Sequence, residues 1–258
     1  MNLGIAGKYA LVTGGSHGIG RSIALALADE GCNVAICARR QERLDIVAGE
    51  IHAKGVHTKG IRCDVEYEKG IETVVDTILF AWHKLDILVN NVGGGGRWGD
   101  DVVEKTSFFT WEQVFTRNAL SAVQFTMRFL PAMIENNWGR VVSIASTLAL
   151  SRKGKPWYTM AKAAEIALMN SLAGDKRLAR HNITFNSVAP GAIMIPNTGW
   201  DEEQKKDPTA FSQMLNEHYV LGRLGTPDEI ANAVVFLCSE KASLINGACI
   251  IADGGGTS

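Results

Sequence analysis

The chain has 258 residues, 46% of them hydrophobic and 27 of them glycine, enough to bury one large core and still turn tightly many times. Its formal net charge of −1 excludes a general electrostatic attraction to nucleic acid or to a membrane surface. The first seven residues, MNLGIAG, are too short and too weakly apolar for a secretory signal, and no apolar run reaches transmembrane length, so a cytoplasmic protein is expected.

In chain order, residues 8–13 form a short, largely apolar run that reads as a buried strand. Gly14-Gly15-Ser16-His17-Gly18-Ile19-Gly20 follows at once, and residues 21–28 are strongly helix-forming. A strand, a glycine turn and a helix make the context a dinucleotide site requires. Missing Cβ atoms let the backbone approach a pyrophosphate, and the helix N-terminus offers free N–H donors. The glycines fall at 14, 18 and 20, which departs from the commoner Gly-x-Gly-x-x-Gly spacing. Residues 33–38 read as a second strand, 43–52 as a helix and 58–64 as a third strand. A helix over 71–82 leads into a strand at 85–89. A glycine-rich loop over 93–106 precedes a long helix at 111–135, a strand at 140–145, a helix from Trp157 to about Leu178 and a strand ending at Val188. This alternation predicts an α/β fold, a doubly wound parallel sheet with helices on both faces, in one domain over residues 1–258. Residues 192–221, with Pro196, Pro208 and a charged run at 201–207, break the alternation and are expected to form a mobile substrate lid. Five cysteines, odd in number and without a Cys-x-x-Cys pair, argue for core residues rather than a disulfide framework or a zinc site.

Tyr158 and Lys162 lie four residues apart, so on a helix they share one face and can reach the same bound molecule. A phenol with a reference pKa of about 10 is a poor acid or base at neutral pH. A neighbouring ammonium favours the phenolate and makes Tyr158 a candidate proton donor or acceptor.

Together the glycine turn and the Tyr-x-x-x-Lys run resemble the short-chain dehydrogenase/reductase family over about residues 8–256, which implies a single-domain Rossmann-type fold. Thr13-Gly14-x-x-x-Gly18-x-Gly20 matches the family's cofactor turn, and Asn90-Asn91-Val92-Gly93 its Asn-Asn-Ala-Gly segment, with Val92 for alanine. Ser146, Tyr158 and Lys162 match the catalytic Ser and Tyr-x-x-x-Lys, Asn118 falls where the catalytic asparagine lies, and Pro190-Gly191 and Asp253-Gly254-Gly255 complete the pattern. The resemblance implies that Tyr158 exchanges a proton with a carbonyl or hydroxyl oxygen. Lys162 would lower the pKa of Tyr158 and hold the nicotinamide ribose, Ser146 would bond the reacting oxygen, and Asn118 would hold a water for proton supply. It further implies cofactor contacts at Gly14, Ser16, His17, Gly18, Ile19, Gly20, Asp64, Val65, Asn90, Asn91, Gly93, Tyr158, Lys162, Pro190, Gly191 and Ile193. Ile195 stands where the family often has threonine.

An NAD enzyme often carries an acidic residue at the end of strand two; here that position is Ala38, followed by Arg39 and Arg40. A carboxylate that would repel a 2′-phosphate is missing and a guanidinium that could bind one is present. With His17 in the turn, NADP(H) is expected over NAD(H). Arg97, Arg152, Lys153 and Lys155, with Trp98 and Trp157 as apolar walls, border the expected nicotinamide end. A polar, anionic small-molecule substrate held by Arg97, Trp98, Ser146, Lys153 and Tyr158 is therefore predicted. The alternative is a 3-oxoacyl-carrier-protein reductase, relatives of which tend to carry basic residues before strand five. Here Ile134-Glu135-Asn136-Asn137-Trp138 has none, and Arg180 and His181 form a partial patch. A nucleotide-binding sensor without turnover is the reading from another class, and it leaves the Tyr158–Lys162 pair without a use. Apolar residues on more than one face of the long helices, including Phe115, Leu120, Phe125, Met169 and Leu172, together with family habit, point to a homotetramer.

Overall fold

The computed structural model describes residues 1–256. Seven strands form one parallel sheet in the order β3-β2-β1-β4-β5-β6-β7: β1 (Tyr9–Thr13), β2 (Asn33–Ala38), β3 (Thr58–Arg62), β4 (Ile87–Asn90), β5 (Gly139–Ile144), β6 (Ile183–Pro190) and β7 (Cys249–Ala252). The helices are α1 (Gly18–Asp29), α2 (Gln41–His52), α3 (Glu68–Trp82), α4 (Phe108–Phe115), α5 (Ser121–Glu135), α6 (Pro156–Ala173), α7 (Lys176–Arg180), α8 (Gly199–Lys206), α9 (Pro208–His218) and α10 (Pro227–Leu237).

The central strands β1, β2 and β4 are largely apolar because both of their faces are covered. Successive side chains alternate between two cores. Ala10, Val12, Val34, Ile36, Ile87 and Val89 join Ile23 and Leu27 of α1, Leu44 and Ile51 of α2, and Ile230 and Val234 of α10. Leu11, Ala35, Cys37 and Leu88 face the other way, against Ile71 and Ile78 of α3, Phe125 and Phe129 of α5, and Met169 of α6. The strand order reverses at β1, which pairs with β2 on one side and β4 on the other. The crevice at the carboxyl ends of β1 and β4 is therefore the place where such a sheet binds a ligand.

Four departures from the sequence reading have physical causes. The expected helix over 111–135 starts at Phe108, where Ser107 caps Thr110 N, and carries one π-helical turn at Thr116–Leu120. The turn arises at Asn118, whose Nδ2 donates to Val114 O of the helix itself (2.7 Å) and to Gly94 O (2.9 Å). The helix bearing Tyr158 ends at Ala173, because Asp175 accepts from Arg177 N (2.8 Å) and starts a separate short helix. Residues 192–221 contain α8 and α9, joined at Asp207, which caps Ala210 N, with Pro208 opening α9. Finally, α10 and β7 were not read from the sequence. The start of α10 is nevertheless written there as a capping box, Thr226-Pro227-Asp228-Glu229, with Thr226 Oγ1 accepting from Glu229 N (3.3 Å) and Glu229 accepting from Thr226 N (2.8 Å). No helix among the described residues is long and apolar enough to cross a membrane. Four cysteines, Cys32, Cys37, Cys63 and Cys238, are buried, Cys249 is half-buried, and all five are free.

Phe129 is fully buried on α5 in the second core. Phe129→Ala is expected to lower the unfolding free energy by about 3–5 kcal/mol, read as a lower urea midpoint at unchanged slope.

Candidate functional site

Thr13 at the end of β1 and Asn91 just beyond β4 close the crevice floor. Thr13 Oγ1 accepts from Asn91 N (2.9 Å) and Val92 N (3.1 Å), and Asn91 Nδ2 donates to Thr13 O (2.8 Å) and Gly14 O (3.3 Å). The glycine turn lies against this clip. Gly14 and Gly18 have φ of +67° and +54°, left-handed values that favour glycine. A Cβ on Gly20 would sit 2.4 Å from Gly14 O, so the first turn of α1 packs against the end of β1 only without one. His17, the N-cap of α1, makes no side-chain capping bond. The helix start therefore keeps donors and a positive dipole end for an anion.

Two adjoining cavities open here. The first, about 330 Å³, is lined by Gly14, Ser16, His17, Arg39, Arg40, Asp64, Val65, Asn91 and Gly93, and also by Ala38, Arg43, Cys63, Val92 and Arg117. The His17 imidazole is held below its usual pKa by burial first and by the positive charge of Arg43, Arg40 and Arg21, against the backbone acceptor of Pro196. Glu66 pairs with Arg117, whose Nε donates at 2.7 Å. The second cavity, about 480 Å³, is lined by Ile19, Asn91, Gly93, Arg97, Ser146, Tyr158, Lys162, Pro190, Gly191 and Ile193, together with Ile195, Thr198 and Trp200. Asn91 and Gly93 line both, so an elongated molecule can occupy the two end to end.

The helix α6 places Tyr158 and Lys162 on one face, with Lys162 Nζ 6.0 Å from the Tyr158 ring centre. Lys162 is buried and its Nζ donates to Ile144 O (2.8 Å) and to Glu165 Oε1 (2.9 Å) and Oε2 (3.2 Å). Burial works against the ammonium, but the Glu165 carboxylate and Tyr158 outweigh it and hold the Lys162 pKa above its ordinary value. Burial raises Glu165 to about 7 against the pull of Lys162. Ser146 Oγ accepts from Leu148 N (3.2 Å), which orients the hydroxyl at the end of β5. Asn118 lies behind the cavity wall, its Oδ1 accepting from Gly94 N (3.2 Å). A Cβ on Gly93 would fall 2.8 Å from Asn118 Oδ1 and 2.9 Å from Lys162 Nζ, so this backbone runs between the two side chains.

Several expected residues lie elsewhere. Gly18 and Gly20 shape the turn from outside the cavity lining. Trp98 does not line the cavity: its ring lies 4.3 Å from the Arg117 guanidinium and packs with Val114 and Trp157. Trp157 is no wall either, being fully buried edge-on to Trp111 at 5.5 Å. Lys153 is exposed and outside the lining, and Lys155 is tied to Asp101 and to Asp100 O (2.8 Å). Arg97 does reach the cavity, but it donates to Glu203 Oε1 of α8 (3.1 Å) and lies over Trp200 at 5.6 Å. Arg97 and Lys155 thus have acidic partners from other segments, which a reading of the sequence alone could not place. Arg43, Arg117 and Glu165 were missed as site residues. For Glu165 the signal was an acidic residue three positions after Lys162 in an otherwise apolar helix.

The donor set fits a dinucleotide: an uncapped helix start, a glycine cradle, guanidinium groups at one end and a Tyr-Lys-Ser cluster at the other. A family model described as enoyl-(acyl carrier protein) reductase matches residues 14–257. The 3-oxoacyl-(acyl-carrier-protein) reductase of Aquifex aeolicus (strain VF5) is 38% identical over 257 residues, 99% of each chain. Among solved structures, L-sorbose reductase from Gluconobacter frateurii, complexed with NADPH and L-sorbose, superposes with a TM-score of 0.91 at 30% identity, covering 99% of this chain and 98% of that one. A 7 alpha-hydroxysteroid dehydrogenase complexed with NADH and 7-oxo glycochenodeoxycholic acid has a TM-score of 0.88 at 32% identity, covering 99% and 96%.

Gly20→Ala, by pushing a methyl group into Gly14 O, is expected to weaken NADPH binding at least about tenfold, ~1.4 kcal/mol, as measured by fluorescence titration.

Proposed function

The chain belongs to the short-chain dehydrogenase/reductase family and is a nicotinamide-dependent oxidoreductase acting on carbonyl and alcohol groups, and we propose that it prefers NADP(H), acts on a polar small molecule and uses Tyr158 as its proton donor and acceptor. The observation that carries this reading is the placement of Tyr158, Lys162 and Ser146 on one cavity that continues into the arginine-lined one. Bound there, the nicotinamide would supply or accept the hydride.

The chain's own residues would do the rest. Ser146 would donate a hydrogen bond to the substrate oxygen and steady charge as it develops. Tyr158 would give that oxygen its proton in reduction or take it in oxidation. Lys162 would bond the ribose hydroxyls, and Asn118, fixed by Gly94 and Val114, would support the backbone beside Lys162. At the far end, the absence of a carboxylate at Ala38 and the presence of Arg39, Arg40 and Arg43 favour a 2′-phosphate. Ile193 and Ile195 would border the nicotinamide.

Residues 192–221 are proposed to cover the substrate. Arg97 ties the loop after β4 to α8 through Glu203, and Trp200 packs with Phe211 and Tyr219 at ring distances of 6.4 and 6.5 Å. Of the basic loop residues, Arg97 alone is placed to meet a substrate anion, by exchanging Glu203 for it. The carrier-protein reading draws on the 38% identity to the Aquifex reductase. Against it, the end of α5 presents Asn136 and Asn137, the latter bonded to His181 Nδ1 (2.7 Å), with no cation of its own for an acidic carrier. A homotetramer is proposed on the exposed Phe108, Phe109, Leu120 and Met127 of the α4–α5 helix, whereas Phe125 and Met169 are consumed by the subunit's own core.

Two measurements test this reading on a panel of acetoacetyl thioesters, keto sugars, keto acids and simple ketones. Tyr158→Phe is expected to cut turnover by about 10²–10⁴-fold with nucleotide affinity retained; full turnover in that variant would exclude the assigned role. Arg39→Asp is expected to raise the Kd for NADPH at least about tenfold, ~1.4 kcal/mol, and to leave that for NADH unchanged. Equal effects on both nucleotides would remove the preference for NADP(H).

A further inference from the structure

The role assigned above to Lys162 rests on its charge, yet that charge is not alone. Glu165, one helical turn on, is almost completely buried and meets Lys162 Nζ with both carboxylate oxygens, at 2.9 and 3.2 Å. An ammonium has three donors; Ile144 O takes one and the Glu165 carboxylate at least one more. Among the described residues, no other charged group competes for this carboxylate. Of the elements packed against α6, α4 carries Glu112, which is exposed, and the π-helical turn carries Arg117, which pairs with Glu66. On β5, Arg140 is held at the far end of the strand by Asn182 O (2.8 Å) and Ser239 O (3.4 Å), while β6 has no charged residue. The cations of α7, Lys176, Arg177 and Arg180, are exposed. Among the described residues, there remains facing the Lys162–Glu165 pair only Tyr158, on α6 itself.

We propose that Glu165 is a positioning residue of the site, whose buried carboxylate anchors the Lys162 ammonium and partly cancels its charge, so that Glu165 sets the pH at which the Tyr158–Lys162 pair gives up its proton. The inference rests on the oxidoreductase reading for its consequence but not for its geometry. An isolated ammonium beside a phenol eases loss of the phenolic proton; a carboxylate on the ammonium's other side opposes that loss. The two groups titrate as a coupled pair, and removing a nearby anion lowers the pH of its first proton loss. A purely structural ion pair would behave otherwise. Replacing it by apolar groups changes stability and leaves the pair's titration where it was.

The test compares the parent with Glu165→Gln and Glu165→Asp, each against a Tyr158→Phe background that identifies the Tyr158 signal. The tyrosinate absorbance of Tyr158 is titrated without nucleotide or substrate, and the pH profile of kcat/KM is recorded on the best substrate. Glu165→Gln is expected to move both midpoints downward by about one unit or more, while Glu165→Asp, which keeps the charge, retains the parent's midpoints. If Glu165→Gln does not fold, Glu165→Leu, which fills the volume without charge, gives the same reading. A tyrosinate midpoint that stays at the parent's value in the neutral variant overturns the proposal. A downward shift in a protein whose parent shows no turnover on the panel supports the proposal and refutes the substrate class proposed above. Turnover abolished by Tyr158→Phe, with an unmoved tyrosinate midpoint, overturns the proposal alone.

Discussion

The clip between Thr13 and Asn91 is the constraint on which the site depends. One hydroxyl and one amide join the carboxyl ends of β1 and β4 at the point where the strand order reverses. Parallel strands have no hairpin to hold their ends in register, and here the two are separated in sequence by three crossover connections. Once the clip is closed, Gly14 and Gly93 face each other across one crevice, and everything that follows either strand end is delivered to it. The glycine turn arrives from β1, and the backbone beside Lys162 and Asn118 arrives from β4. The clip fixes the floor on which the ligand's contacts are built, and its Asn91 lines both cavities.

Electrostatics then divide the crevice into two unlike ends. At one end, Arg39, Arg40 and Arg43 line the first cavity, and the charge of Arg43 and Arg40 adds to burial in holding the His17 pKa below its usual value. At the other end Lys162 is buried beside Tyr158 and needs an anion to stay charged. Glu165 fills that need, and it can do so because it shares the helix face three positions on, where its carboxylate reaches Nζ without strain. Removing either partner would leave an unpaired buried charge. The same economy of charge appears on the loops above. Arg97, Arg117 and Lys155 all have carboxylate partners from other segments, so Arg97 tethers the loop after β4 to α8, Lys155 tethers that loop to the start of α6, and Arg117 tethers the π-helical turn to the segment before α3.

The motif positions were legible because each rests on a local requirement. The glycines of the turn are demanded by left-handed φ values and by a Cβ-free approach, and Tyr158 and Lys162 by the pitch of one helix. The burial of β1, β2 and β4 on both faces was legible for the same reason, since a short continuous apolar run is a feature of neighbouring residues. Trp98 and Trp157 were misplaced because an indole near a site in sequence can point either way. Here Trp98 turns to the Arg117 guanidinium and Trp157 to Trp111. The π-helical turn at Asn118 was invisible because its cause, the carbonyl of Gly94, lies 24 residues away. The omission of α10 is different in kind: its capping box is local and readable, and only the strand β7 beyond it required a partner, β6, to be recognised.

By itself the sequence determined most of the elements, the parallel doubly wound sheet and the sharing of one helix face by Tyr158 and Lys162, because periodicity, glycine spacing and the four-residue step of a helix are properties of neighbouring residues. It determined the absence of a carboxylate at Ala38 as well. Only the tertiary structure decided which charges are free and which are paired, since Glu66, Asp101 and Glu203 come from segments distant in the chain. It also decided that Asn91 clips β1 to β4 and that Asn118 stands behind the wall rather than on it. Whether a side chain serves the site depends on direction and on the company it finds after folding, and those are set by packing between elements, where local sequence carries no measure of distance.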